Sequence, residues 1–255
     1  MQFFQGARYL LRGFKLILKP RIRRFVYIPL AVNISLFSLV IFLGYRYTFE
    51  LIEWLSVKLD NWISQLPNWL AWLGNLVDAL QWIIWPVFII SALLFVFFFF
   101  SLIANIISAP FNGFLSEAVE RLLTGQTVNS DTNIAKEVVV AISHEIRKLA
   151  YFVLRALPLL VLFLIPIINI AAPFLWLLFT AWMLAIEYLD YPMSNHHIAF
   201  KTQRHLHRQR RSLSFGFGTA TALANAIPFV NFFAIPSAVA GATALYIENL
   251  DERNN

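Results

Sequence analysis

Lys19-Pro20-Arg21-Ile22-Arg23-Arg24 is a knot of positive charge set directly ahead of the uncharged apolar run Phe25–Tyr45. Proline suits the first turn of a helix, where its missing N–H would have had no intrahelical partner. A helix beginning at Pro20 aims its free amides, and the positive end of its dipole, at whatever lies ahead of it. Guanidinium groups from Arg23 and Arg24 complete a place suited to a tetrahedral oxyanion. The same residues also serve a plainer purpose, since basic side chains beside a membrane span anchor it on the cytoplasmic side. The two roles are compatible.

Composition agrees with a span at this point. Of 255 residues, 59% are hydrophobic and only 13% charged, against about 25% charged in ordinary soluble domains. The mean hydropathy of +0.67 and several long uncharged runs mark an integral membrane protein. Residues 1–18 do not read as a cleavable leader, because Arg8, Arg12 and Lys15 are scattered among the apolar positions and no small-residue cleavage site follows. The absence of cysteine excludes disulfides and thiolate metal sites. The net charge of +6 sits in segments flanking the apolar runs. It therefore reads as orientation and anion attraction, with no nucleic-acid partner implied.

Taken in order, residues 1–18 form an amphipathic helix: Phe3, Ala7, Leu10, Phe14 and Ile17 recur at helical spacing, opposite Arg8, Arg12 and Lys15. Such a helix is expected to lie in the headgroup layer. Residues 25–45 form the first span. Residues 47–80, rich in tryptophan and charge, read as interfacial helices. Residues 82–108 form a second span, ended by Ala109-Pro110-Phe111-Asn112-Gly113. Residues 114–150 are a polar helical hairpin divided at the turn-rich stretch Thr124–Asn133.

Two further apolar segments, 151–189 and 212–247, are each interrupted by nearly the same phrase. The first reads Ile165-Pro166-Ile167-Ile168-Asn169 with Pro173 after it, and the second Ile227-Pro228-Phe229-Val230-Asn231 with Pro236. Proline and asparagine break helices and favour turns. Legs of roughly 15 residues reach only about 22 Å, short of a hydrocarbon core about 30 Å thick. Two helical hairpins that enter partway and return are therefore expected, with complete paired spans as the alternative. Irregular backbone at that depth needs protein or water around it, which points to packing against other copies of the chain.

Lysine and arginine number seven before the first span, two in 46–81, and five each in 109–155 and 189–211. Both termini, the polar segment and the basic connector are thereby expected on the cytoplasmic side.

Nothing in the chain resembles a phosphate-binding glycine loop or a dinucleotide fingerprint. Asn195-His196-His197 with His205 and His207 is a weak metal pattern, since adjacent histidines diverge and the surrounding arginines repel a cation. Ser143-His144-Glu145 is no hydrolytic centre, because consecutive helical residues face different ways. Ionisable residues near the apolar runs are more telling, since burying them is costly unless they are paired or wetted. Glu117, Glu120, Arg121, Arg155 and Glu187 form a candidate anion path. Salt bridges between helices and snorkelling at the interface account for the same residues equally simply.

Pro20–Leu30, Ala109–Gly113, Ala181–Ile186, Asp190-Tyr191-Pro192 with Asn195-His196, and Ala240–Ala244 together resemble the bacterial CysZ family of sulfate permeases. The likeness runs from about residue 5 to 248. It implies sulfate uptake across the inner membrane for cysteine synthesis, by a homo-oligomer with two true spanning helices and partly penetrating hairpins. The family's sulfate motif, Gly-Leu-Arg and then a second Arg, falls here on Arg21, Ile22, Arg23 and Arg24. Arg21 stands in place of the glycine, bringing bulk and a third charge where close backbone approach is implied.

The expectation is an all-α, multi-pass inner-membrane protein with two full spans, two re-entrant hairpins and a polar cytoplasmic helical segment. It is a non-enzymatic sulfate permease without a cofactor, with sulfate, membrane lipid and further copies of itself as partners. A non-transporting membrane scaffold and a sulfate sensor are the rival readings.

Overall fold

The computed structural model describes residues 1–65, 67, 70, 72–126 and 134–251, and every regular element among them is helical. The long helices are α1 (Gln2–Ile17), α2 (Arg24–Ser64), α3 (Trp72–Thr124), α4 (Ile134–Leu164) and α5 (Ala172–Asn195). The shorter ones are α6 (Phe200–Gln209), α7 (Arg211–Ala226) and α8 (Asn231–Leu245). A 3-10 turn, Ile168–Ile170, precedes α5, and a π-turn, Tyr246–Leu250, follows α8. By contact the chain forms two compact units, residues 1–27 with 110–255, and residues 28–109.

Several boundaries differ from the expected ones. Helix α2 starts at Arg24, four residues after Pro20, and continues without interruption into the segment expected to be a separate interfacial helix. Likewise α3 runs through Pro110 and Gly113. A single proline removes one helix hydrogen bond, and in an apolar setting neighbouring groups re-satisfy what it frees. Most of the expected dividing turn, residues 127–133, lies outside the described residues, as does Trp69.

Among the described residues two helices are long and apolar enough to cross a membrane, Arg24–Gly44 with mean hydropathy 2.3 and Ala172–Asn195 with 1.5. Only 6% of the first apolar window is buried, so it is no core helix of a soluble fold; Ile34, Phe37, Ile41 and Phe42 all face outward. Within 82–108 the apolar stretch among the described residues is shorter, Trp85–Phe100. In the unit of residues 28–109, the Phe37 and Phe100 rings meet edge to face at 4.7 Å.

In the larger unit α1 is a central strut. Its buried face, Gly6, Tyr9, Leu10, Gly13, Leu16 and Ile17, packs on α7 and α8. The expected headgroup-facing apolar stripe is thus turned into the protein. Glycines permit this approach from both sides: a Cβ on Gly6 would strike the Leu213 carbonyl and one on Gly216 the Phe3 carbonyl. The same reciprocity joins Gly13 to Ser237 on α8, and Gly241 to Tyr9. An ionic clasp closes the end: Arg12 pairs with Glu248 at 2.6 Å, Tyr9 donates to Glu248 at 2.9 Å and Asn249 donates to Tyr9 at 2.7 Å.

The repeated phrase is also a repeated structure. Asn169 N–H donates to the Ile165 carbonyl at 3.0 Å, and Asn231 N–H to the Ile227 carbonyl at 3.1 Å. The residue after each proline has positive φ, 72° at Ile167 and 66° at Phe229. The second turn is tightened by Val230 N–H donating to the Pro228 carbonyl at 2.8 Å. Helices α7 and α8 have 16 and 15 residues, matching the expected short legs. Those of the first hairpin are longer, 31 and 24 residues, because each helix continues beyond the apolar run into polar sequence.

Candidate anion-binding site

The basic knot forms a turn, with helix only from Arg24 onward. Lys19 supplies one carbonyl that accepts from Ile22 N–H at 2.9 Å and from Arg23 N–H at 3.0 Å. Those two amides, expected to be free, are therefore committed to the turn. Ile22 is fully buried and belongs to the same apolar cluster as Val26, Leu115 and Val119. With Ile22 as a peg driven inward, its neighbours Arg21, Arg23 and Arg24 are all exposed.

Arg21 and Arg24 then line one wall of a cleft of about 640 Å³, with Pro20 and Phe25. The opposite wall is the last part of α3, Phe114, Glu117, Ala118, Arg121 and Leu122. Arg23 is not among the lining residues. Three guanidinium groups thus face one carboxylate, and among the described residues none of the four takes part in an ion pair. Arg24 rests over the Phe25 ring at 4.8 Å, which steadies it without consuming its donors. A cleft lined by mostly one sign of charge concentrates anions.

Of the five candidate path residues, the structure brings Glu117 and Arg121 together with Arg21 and Arg24 and sends the others elsewhere. Glu120, buried, meets His196 at 2.7 Å. Its second carboxylate oxygen has no hydrogen-bond partner among the described residues. Glu187 pairs with Lys148 at 3.1 Å. Arg155 stacks on Tyr151, its guanidinium 4.2 Å from the ring centre.

The segment of α3 that carries Glu117 and Arg121 is held by a polar seam. Asn112 donates to the Tyr191 hydroxyl at 3.2 Å, and Asn195 to the Gly113 carbonyl at 3.4 Å. Ser116 and Thr243 share a hydrogen bond of 2.9 Å, and the Glu120–His196 pair completes the row. Residues far apart in sequence, in 112–120, in 191–196 and Thr243, therefore meet along one row. Beside it lies a second cavity of about 260 Å³, lined by residues including His196, Thr202, Tyr246 and Asp251.

Sequence reasoning missed Lys148, which is buried yet touches both Glu187 and Asp190 at 3.1 Å. Asp190 also accepts from Ser194 at 2.7 Å and Gln203 at 3.0 Å. A lysine one helical turn from an apolar run, with acids on a later helix, was the available signal. The histidines go separate ways: His196 to Glu120, His205 to Gln209, and His207 to Ser214 at 3.1 Å inside the core. Among the described residues no three metal-ligating side chains gather. Burial pulls His207 down to about 4, with the Asp190 charge opposing that shift.

Residues 9–236 match the family model described as sulfate transporter CysZ/etoposide-induced protein 2.4. The chain is 42% identical to the sulfate transporter CysZ of Pectobacterium atrosepticum over 95% of its own length and 84% of that protein. To the sulfate transporter CysZ of Vibrio parahaemolyticus it is 41% identical, covering 95% of this chain and 94% of the other. For the protein of the same name in Salmonella typhimurium the identity is 43%, with 95% and 92% covered.

Proposed function

The chain belongs to the sulfate transporter CysZ/etoposide-induced protein 2.4 family, and we propose that it carries sulfate across the bacterial inner membrane to supply cysteine synthesis. The observation that carries this reading is the cleft between the basic turn and the end of α3, where Arg21, Arg24 and Arg121 outnumber Glu117. It opens where the first candidate span begins. A doubly charged anion entering it gains charge-assisted hydrogen bonds, each worth about 1.5–3 kcal/mol. Glu117 limits how firmly the ion is held, and conduction needs release as much as capture.

In this reading Arg21 and Arg24 hold the anion, Arg23 draws it from bulk solution, and Ile22 fixes all three by its buried side chain. The extra charge at Arg21 replaces main-chain contacts, since the Ile22 and Arg23 amides are engaged with Lys19. The short second hairpin and the strongly exposed tips at Ile167 and Phe229 support partial entry into the bilayer. Further copies of the chain and lipid cover these surfaces.

Uptake of labelled sulfate by purified protein in liposomes is the test. Accumulation above protein-free vesicles supports a permease. Sulfate binding without accumulation leaves a sensor, and neither binding nor accumulation leaves a scaffold.

A further inference from the structure

Away from the cleft, two arginines from different helices converge on one tyrosine. Arg155 of α4 lies 4.2 Å from the centre of the Tyr151 ring, and Arg204 of α6 lies 5.1 Å from the same centre. Arg204 also sits 5.2 Å from the Phe200 ring. The platform itself is braced by its neighbours. Tyr151 and Phe200 meet edge to face at 5.7 Å, and the Trp182 indole N–H donates to the Tyr151 hydroxyl at 3.3 Å.

Nothing neutralises this pair: among the described residues neither Arg155 nor Arg204 has an ion-pair partner. The acids of α5 that could serve, Glu187 and Asp190, are held by Lys148. The Arg204 Nε–H is buried and lacks an acceptor among the described residues. Two like charges drawn to one ring repel each other, and an anion between them removes that cost. Planar guanidinium groups supply paired donors that match the oxygens of a phosphate.

The surroundings say which anion. On α4, Arg155 is followed by Leu157, Leu160, Val161 and Leu164, all exposed apolar side chains. On α6, Lys201, Arg204 and Arg208 recur at helical spacing and share a side. The arginine pair therefore lies where a basic surface gives way to an apolar one, as a phospholipid headgroup gives way to its chains. We propose that Arg155, Tyr151 and Arg204 form a second oxyanion site, separate from the sulfate cleft, that takes a phosphate group with the headgroup of an anionic phospholipid as its source.

The experiment uses the full chain in micelles of a maltoside detergent, which carries no phosphate. It follows the thermal unfolding midpoint during titration with phosphatidylglycerol in one arm and inorganic phosphate in the other. Ligand bound to the folded state raises the midpoint by mass action. Arg155→Gln with Arg204→Gln is compared with Arg8→Gln and Arg46→Gln, which remove the same charge from exposed positions. The first double variant is expected to weaken the apparent affinity for phosphatidylglycerol about tenfold, and the second by less than about twofold. If inorganic phosphate gives the same Arg155- and Arg204-dependent shift, the site stands and its occupant is the free ion. Equal loss in both double variants, or loss in neither, overturns it. Unchanged midpoints in the phosphate-free detergent alone check that the variants fold.

Discussion

Ile22 is fully buried while Arg21, Arg23 and Arg24 on either side of it are exposed, so one apolar side chain sets the direction of three cations. Ile22→Ala is expected to destabilise the protein by about 2–5 kcal/mol and also to weaken sulfate binding, because the turn loses its anchor. Thermal unfolding and equilibrium binding measured on one sample check both effects. Arg24→Gln is expected to reduce sulfate affinity about tenfold or more and Arg23→Gln by less, since Arg24 lines the cleft and Arg23 does not. At the hairpin tips, Ile167 and Phe229 hold positive φ, a conformation that costs a non-glycine residue about 1–3 kcal/mol. Both side chains are more than four-fifths exposed. Ile167→Gly in detergent is therefore expected to leave the unfolding midpoint unchanged or raise it, and a clear fall would show that the side chain is held by something else. His207 titrates near 4 in the fold against about 6.5 when unfolded. Its neutral form therefore supports the fold above about pH 6.5, and that support is lost as pH falls from there towards 4. His207→Gln is expected to flatten the fall in unfolding midpoint over that window.

Among the helices, α1 departs most from its sequence pattern. Its heptad-like stripe announced an amphipathic helix and was legible, but the partner was not. Gly6 and Gly13 on the same stripe as Tyr9 and Leu10 were the sign of close helix contact, and only the facing glycines, Gly216 and Gly241, identify what they meet. Gly13→Val is expected to destabilise the fold by about 1–3 kcal/mol through collision with the Ser237 carbonyl, read as a lowered unfolding midpoint in detergent. Helix ends were less legible than helices. Pro20, Pro110 and Gly113 read as boundaries in isolation, yet α3 passes through the last two, since one proline removes only one helix hydrogen bond. The break at each Ile-Pro-x-x-Asn phrase was legible, since proline and asparagine act through local bonding that the neighbouring chain does not override.

For the molecule as a whole, composition and the long apolar runs were enough to indicate a membrane protein, and the charge ahead of Phe25 pointed to the place where we propose that the anion binds. The wall contributed by Glu117 and Arg121 was suspected from their nearness to an apolar run, but nothing local to them pointed to Arg21 and Arg24 across the cleft. That meeting depends on the seam between α3, α5 and α8, whose bonds join residues as far apart as Ser116 and Thr243. Arg155 and Glu187 had the same appearance in sequence and proved to belong to other neighbourhoods.

The most direct test is equilibrium binding of labelled sulfate to the purified full chain, wild type against Arg21→Gln with Arg24→Gln. The cleft predicts a loss of about a hundredfold, with the unfolding midpoint in the absence of sulfate little changed. Wild-type affinity in the folded double variant would contradict it.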